Sequence, residues 1–211
     1  MSYYFHRTPG WLQKIYPSLT WKVSDSEKTI YLTFDDGPIP DVTSFVLSEL
    51  DKYHAKATFF CVGENIQKHP DEFNKVLEKG HSVGNHTYNH LTGWKTTETH
   101  YVENVKLCQK EIERHLGAQD EKLFRPPHGK ITRSQIREVS KDYEIIMWTY
   151  LTGDFDIFLE PEECREKAIS RVEPDHIVVF HDSVKSYANL RVTLPAFLRH
   201  FNEKGYQFNK L

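Results

Sequence analysis

The chain has 211 residues, 27 Lys and Arg against 30 Asp and Glu, and a formal net charge of -3. Hydrophobic residues make up 38% and aromatics 13%, enough to build a core, which excludes wholesale disorder. The near-balanced charge gives no basic field for nucleic acid, and apolar runs such as Ile145–Trp148 and Ile177–Phe180 fall far short of the ~20 residues of a membrane span. The first residues, Met1-Ser2-Tyr3-Tyr4-Phe5-His6-Arg7, hold no apolar stretch of the ~7–15 residues a secretory signal needs. Cys61, Cys108 and Cys164 are odd in number and form no C-x-x-C pair, so free thiols are expected. Either the protein stays in the cytoplasm, the compartment that free thiols suit, or the chain begins after a removed segment.

Residues 1–28 carry Trp11, Tyr16 and Trp21 among polar residues and read as an N-terminal extension packed on a single domain spanning 29–211. From Thr29 the pattern alternates. Strands are expected at Thr29–Phe34, Lys56–Val62, His81–Asn85, Lys122–Phe124, Glu144–Trp148, His176–Phe180 and Tyr206–Phe208. Helices are expected at Asp41–Tyr53, Asp71–Lys79, Glu98–Leu116, Thr132–Lys141, Pro161–Val172 and Leu190–Lys204. Gly80, Gly117 and Gly205 stand where helices should stop, and Pro161 suits a first helical turn. The Glu98–Leu116 segment sets Tyr101, Val105, Cys108, Ile112 and Leu116 on one face. Strands alternating with helices imply parallel βα units, and about seven of them in ~180 residues imply a distorted (β/α)7–8 barrel, smaller than the usual ~250-residue form.

Polar clusters follow the strands. Asp35-Asp36-Gly37 comes after the first, His86 and His90 after the strand ending at Asn85, and Arg125-Pro126-Pro127-His128-Gly129 after Phe124. Asp154 lies beyond Trp148, and His181-Asp182 follows Phe180. In a parallel barrel these strand ends converge on the face that carries chemistry.

Each cluster alone has a plain reading. With twelve His, chance gives about 0.7 pairs at i, i+4. Asp35-Asp36-Gly37-Pro38 is otherwise a turn after a strand, Arg125 an ion-pair partner, Asp154 a cap and His181 a core histidine. Together they suit a catalytic metal centre, in which two His and one carboxylate bind a divalent ion and leave a position open. One of the two consecutive Asp residues can then bind metal while its neighbour acts as base beside a cationic Arg. A histidine held protonated by a nearby Asp can serve as the acid for a leaving amine. Tyr88 and Trp94, which flank the His pair, could stack on sugar rings or simply pack.

Five motifs in order, over about Thr29 to the C-terminus, resemble the polysaccharide deacetylases of the NodB-homology type (carbohydrate esterase family 4). Thr33-Phe34-Asp35-Asp36-Gly37-Pro38 is similar to the first motif and implies Asp35 as base and Asp36 as metal ligand. His86-Thr87-Tyr88-Asn89-His90 resembles the second, implying His86 and His90 as ligands with Thr87 steadying the loop. Arg125-Pro126-Pro127-His128-Gly129 resembles the third: Arg125 would orient the base, and the backbone N–H of His128 would meet the oxyanion. An aromatic, commonly Tyr, usually stands at the position of His128. Trp148 and Asp154-Phe155 resemble the fourth motif, with Asp154 holding the acid and Phe155 where Trp is usual. Val178-Val179-Phe180-His181-Asp182 resembles the fifth, implying His181 as acid and Val179, in place of Leu, in an acetyl pocket.

The resemblance implies metal-dependent hydrolytic N-deacetylation of a glycan containing N-acetylglucosamine, with release of acetate. The metal expected is Zn2+, with Co2+ or Ni2+ as alternatives, and the partner is an N-acetylated glycan rather than nucleic acid or membrane. A metal-dependent amidohydrolase on a small non-sugar amide and a catalytically weak carbohydrate-binding homologue are the competing readings.

Overall fold

Parallel strands joined by helices form one sheet in a computed structural model that describes residues 4–23 and 28–211. Residues 1–3 and 24–27 of the expected extension lie outside the described residues. The strands are β1 (Thr29–Asp35), β2 (Thr58–Cys61), β3 (Ser82–Asn85), β4 (Leu123–Phe124), β5 (Glu144–Ile145), β6 (Tyr150–Leu151), β7 (Ile177–His181) and β8 (Gln207–Asn209). Their order is β5-β4-β3-β2-β1-β7-β6, with β8 paired to the lower half of β1. The helices are α1 (Gly10–Ile15), α2 (Val42–Asp51), α3 (Gly63–Lys68), α4 (Pro70–Glu78), α5 (Glu98–Leu116), α6 (Arg133–Val139), α7 (Pro161–Arg171) and α8 (Tyr187–Glu203).

The sheet curls into a distorted α/β barrel that strand pairing leaves open between β5 and β6. The N-terminal extension lies along that seam. Thr20 bridges Ile146 in parallel, Arg7 bridges Tyr150 antiparallel, and Lys22 bridges His176. The N–H of Leu151 donates to the His6 carbonyl at 2.7 Å, and that of Met147 to the Thr20 carbonyl at 2.7 Å.

Strand periodicity of two divides the core. Ile30, Leu32 and Phe34 of β1, Phe59 and Cys61 of β2, and Val178 and Phe180 of β7 pack outward with Val46, Leu50, Phe73, Leu190, Leu194 and Phe197 from the helices. Burying each such side chain contributes ~2 kcal/mol, which fixes the register because a slip of one residue would turn this face inward. The alternate set fills the barrel: Tyr31, Phe60, Ile146 and Ile177 form its lower layer. Thr33 and Val179 pair above them, and Asp35 and His181 pair above those, at the strand ends. Gly84 of β3 has no room for a Cβ because the Phe60 ring occupies that space.

Several elements differ from the sequence pattern. Gly63–Lys68 is a separate short helix ahead of α4. The apolar run expected as one strand over Glu144–Trp148 pairs with β4 only at Glu144–Ile145, and a second short strand, Tyr150–Leu151, turns onto β7. α8 begins at Tyr187, three residues ahead of Leu190. Leu116, expected on the buried stripe of α5, is 39% exposed because it sits at the helix end before Gly117 (φ 74°).

Candidate active site

The barrel's C-terminal rim gathers the ionisable clusters because each follows an inward-facing strand end. Asp35 closes β1, and its carboxylate Oδ1 accepts a hydrogen bond from Arg125 Nη1 at 2.8 Å. Arg125 is wholly buried and makes four side-chain hydrogen bonds. Nη1 also donates to Thr33 Oγ1 (2.7 Å), Nε to the Ile146 carbonyl (3.2 Å) and Nη2 to the Met147 carbonyl (3.0 Å). Its guanidinium lies 4.1 Å from the centre of the Phe60 ring. A planar five-donor group suits this position, where a lysine could not reach all four acceptors.

The next residue, Asp36, turns away with φ 82°. Its Oδ1 lies 3.7 Å from His86 Nε2 and 3.1 Å from His90 Nε2. One ligand atom from each of the three lies within 4.8 Å of the others, the only such grouping of His, Cys, Asp or Glu among the described residues. The donor set fits a catalytic divalent cation: two imidazoles and a carboxylate with room for a further ligand. His86 is also oriented for it, since Nδ1–H donates to the Arg125 carbonyl at 2.8 Å and leaves the Nε2 lone pair free. Burial pushes the His86 imidazole down to about 4 despite Asp35 nearby, so it is neutral and ready to ligate. Burial would raise the Asp36 carboxyl, but the His90 hydrogen bond and the His181 and His86 imidazoles hold it well below the usual carboxylate range.

The loop from His86 to His90 is irregular, with φ 63° at Thr87 and 54° at His90. Asn85 and Asn104 hold it there. Asn85 Oδ1 accepts from Thr87 N–H (2.9 Å) while Nδ2 donates to the Val105 carbonyl. Asn104 Oδ1 accepts from Tyr88 and Asn89 N–H at 2.8 and 3.0 Å. Thr87 Oγ1 accepts from Leu91 N–H at 2.9 Å.

Across the rim, His181 ends β7 as the register partner of Asp35. Its Nδ1–H donates to Asp154 Oδ1 at 2.8 Å and its backbone N–H to Oδ2 at 2.7 Å. Burial alone would lower this imidazole, but Asp154, then Asp36 and Asp35, lift it to about 9. The Phe155 ring lies edge-on 5.0 Å from His181 and 5.0 Å from Tyr4 of the extension. Val179, fully buried, precedes His181 by two residues and so shares its face of β7. His128 adopts φ 59°, with its ring edge-on 4.7 Å from that of His90. Trp94 is 66% exposed and its indole N–H donates to the Ile131 carbonyl; Tyr88 donates its hydroxyl to Gln67.

All ten candidate residues from the sequence therefore lie on or beneath one rim. The motifs contained Thr33 and Asp182 without a role for either, and they missed Asn85, Asn104 and Asn189 as supports of the site. Asn104 had a signal, a polar residue beside Val105 on the inward stripe of α5. Asn189, whose Nδ2 donates to the Asp154 carbonyl at 3.1 Å, had none.

A model of the family described as polysaccharide deacetylase matches residues 22–148. The chain is 32% identical to a peptidoglycan-N-acetylglucosamine deacetylase of Bacillus cereus, over 90% of this chain and 89% of that protein. The chain belongs to the polysaccharide deacetylase family. Its relatives include PgdA, a peptidoglycan-N-acetylglucosamine deacetylase of Listeria monocytogenes, 30% identical over 87% of this chain but only 38% of that longer protein. Among solved structures, the Bc1960 peptidoglycan N-acetylglucosamine deacetylase superposes with a TM-score of 0.86 at 25% identity, covering 97% of this chain and 95% of that one. BA3943 of Bacillus anthracis, described as a CE4 family pseudoenzyme, shares the fold with a TM-score of 0.79 at 21% identity, over 90% of this chain and 66% of that one. The deacetylase fold thus carries both active and inactive members, and activity must be argued from side chains. The match to the Bacillus cereus deacetylase over nearly the whole of both chains makes this chain a hydrolase of carbon–nitrogen bonds other than peptide bonds, in a family that is typically metal-dependent. No helix among the described residues is long and apolar enough to cross a membrane.

Proposed function

We propose that this deacetylase hydrolyses the N-acetyl group of N-acetylglucosamine units in a peptidoglycan-type glycan, releasing acetate and a free amine. The observation that carries the reading is the pairing of opposites on one rim. Asp36, His86 and His90 cluster as a ligand set, while His181, charged by Asp154, stands beside Asp35 on the adjacent strand.

Asp36, His86 and His90 would hold the divalent cation, Zn2+ by its donor set, which when bound supplies Lewis acidity and lowers the pKa of water toward ~7. Asp35 takes the proton of the attacking water, its carboxylate aimed by the Arg125 guanidinium at 2.8 Å. The backbone N–H of His128 donates to the oxygen that becomes negative when the acetyl carbon turns tetrahedral. Val179 packs beneath the acetyl methyl. His181 then gives its proton to the sugar nitrogen, the C–N bond breaks, and acetate leaves. Phe155 and the exposed face of Trp94 offer apolar surfaces to sugar rings on either side.

The deciding experiment is acetate release from N-acetylglucosamine oligomers by metal-stripped protein, with and without added Zn2+ or Co2+, and Asp35→Asn as control. Metal-dependent release that the control abolishes supports the reading. A protein that binds metal normally but releases no acetate overturns it. A cytoplasmic location, which the three free and buried cysteines suit, makes the substrate a soluble precursor or oligosaccharide of such a glycan rather than the polymeric wall, and cell fractionation tests it.

A further inference from the structure

We infer that Asp182 is a positioning residue that locks the turn carrying Asp35 and Asp36 to the strand carrying His181, and thereby sets metal affinity. The inference rests on the metal-dependent reading of the site. Asp182 is wholly buried and no step above uses it. A carboxyl so placed is costly unless its oxygens are satisfied, and here both are. Oδ1 accepts from the Gly37 N–H at 3.0 Å, and Oδ2 accepts from the Thr43 hydroxyl of α2 at 2.6 Å. Thr43 Oγ1 in turn accepts from the Ile39 N–H at 2.8 Å. The Asp182 backbone N–H donates to the Asp35 carbonyl at 3.0 Å.

One residue therefore grips the turn on both sides of Asp36, directly next in the chain to His181. The remaining carbonyls of the turn are taken by Asn65, whose Nδ2 donates to Asp36 O at 2.7 Å, and by Val62, whose N–H donates to Gly37 O at 2.9 Å. This grip explains how Asp36 is kept at φ 82°, a region an aspartate leaves readily when released. That backbone angle aims Asp36 toward the histidines while Asp35 points at Arg125. The fit leaves no room for a side chain at Gly37, since a Cβ there would run into the Asp182 carboxylate.

The test is a Co2+ titration of the purified chain, followed by the absorbance of bound Co2+, on Asp182→Ala, Asp182→Asn, Gly37→Ala and the Asp182→Ala/Gly37→Ala double variant, with kcat and KM measured alongside. Asp182→Ala should bind Co2+ about 10–100-fold more weakly, the scale on which residues that support ligands act, and kcat should fall with KM little changed. Asp182→Asn should recover most of the affinity, because its amide oxygen can accept from Gly37 and its amide nitrogen can donate to Thr43. Gly37→Ala should weaken binding too, and the double variant should be no weaker than the worse single one. A purely structural role would lower thermal stability and leave the Co2+ affinity of the folded protein intact. A folded Asp182→Ala with wild-type affinity, an Asp182→Asn as impaired as Asp182→Ala, or additive losses in the double variant would each overturn the inference. If Asp182→Ala does not fold, Gly37→Ala and Asp182→Asn decide it: wild-type Co2+ affinity in the first, or lost affinity in a folded second, overturns it. Co2+ affinity is read without substrate, so a wild-type chain that binds Co2+ but releases no acetate sinks the deacetylase reading and leaves this test standing.

Discussion

Asp154 holds His181 at two points, one carboxylate oxygen on the ring Nδ1–H at 2.8 Å and the other on the backbone N–H at 2.7 Å. A fully buried carboxylate thereby fixes the ring's orientation and favours its charged form, lifting the imidazole pKa to about 9. A divalent cation held by Asp36 would oppose the lift. With Asp154→Asn, burial dominates and the imidazole titrates lower. The alkaline limb of the kcat/KM profile should move to lower pH, with turnover above pH ~8 falling by about tenfold or more. An unshifted limb, measured on acetate release, would show that the pair does not set the acid.

The same pair makes metal-free stability depend on pH. The His181 value in the folded protein lies above the ordinary 6.5 of an unfolded chain, so its contribution is complete below about pH 6.5 and is lost as pH rises through about 9. The Tm difference between the metal-free wild type and Asp154→Asn should therefore shrink between those values. A difference that stays constant across the window contradicts the linkage.

Removing the base should separate chemistry from binding. Asp35→Asn is expected to lower kcat by about 10²-fold or more while metal content, by elemental analysis, stays at the wild-type level. The reverse holds for His86→Ala and His90→Ala, which should lose metal and activity together. Metal retained at full stoichiometry in either histidine variant would remove that residue from the ligand set.

Arg125 should matter for stability as much as for rate. Arg125→Leu leaves the Asp35 carboxylate buried without its cation and strips donors from the Ile146 and Met147 carbonyls. Breaking a buried pair in this way costs ~3–5 kcal/mol, or a Tm fall of roughly 6–20 °C in a chain of this size. Arg125→Lys should rescue little, since one ammonium cannot span the same four acceptors. Thermal melts of the two variants check both statements, and a lysine variant as stable as wild type would refute the second.

How much of this was written in the sequence depended on the range of the interaction. Asp35, Asp36, His86, His90, Arg125, Asp154 and His181 were legible because each follows a strand, and the parallel topology delivers strand ends to one rim. α5 was legible to the residue at both ends, since its apolar stripe is long and Gly117 stops it. The helix Gly63–Lys68 was not: six residues hold too little periodicity, and it is fixed by N–H groups of Gly63 and Glu64 reaching the Thr87 and Tyr88 carbonyls. The split of the run at Ile145–Trp148 was equally hidden, because the chain leaves the sheet there to pair with Thr20, 126 positions earlier. Asp182 was visible as a letter beside His181, but its partners Gly37 and Thr43 lie on other elements, and only the fold brings them within reach.

The open seam between β5 and β6 gives the first residues of the chain a protective task. Each bordering strand would otherwise present unpaired N–H and C=O groups to any neighbouring molecule, and such rows template association between copies. His6, Thr8 and Thr20 cover them, backed by Arg7, whose guanidinium grips Glu173 with two hydrogen bonds. A chain shortened to begin at Trp21 would keep every side chain of the catalytic rim and still be expected to clump, its failure arising from exposed backbone at the barrel's side rather than from lost chemistry.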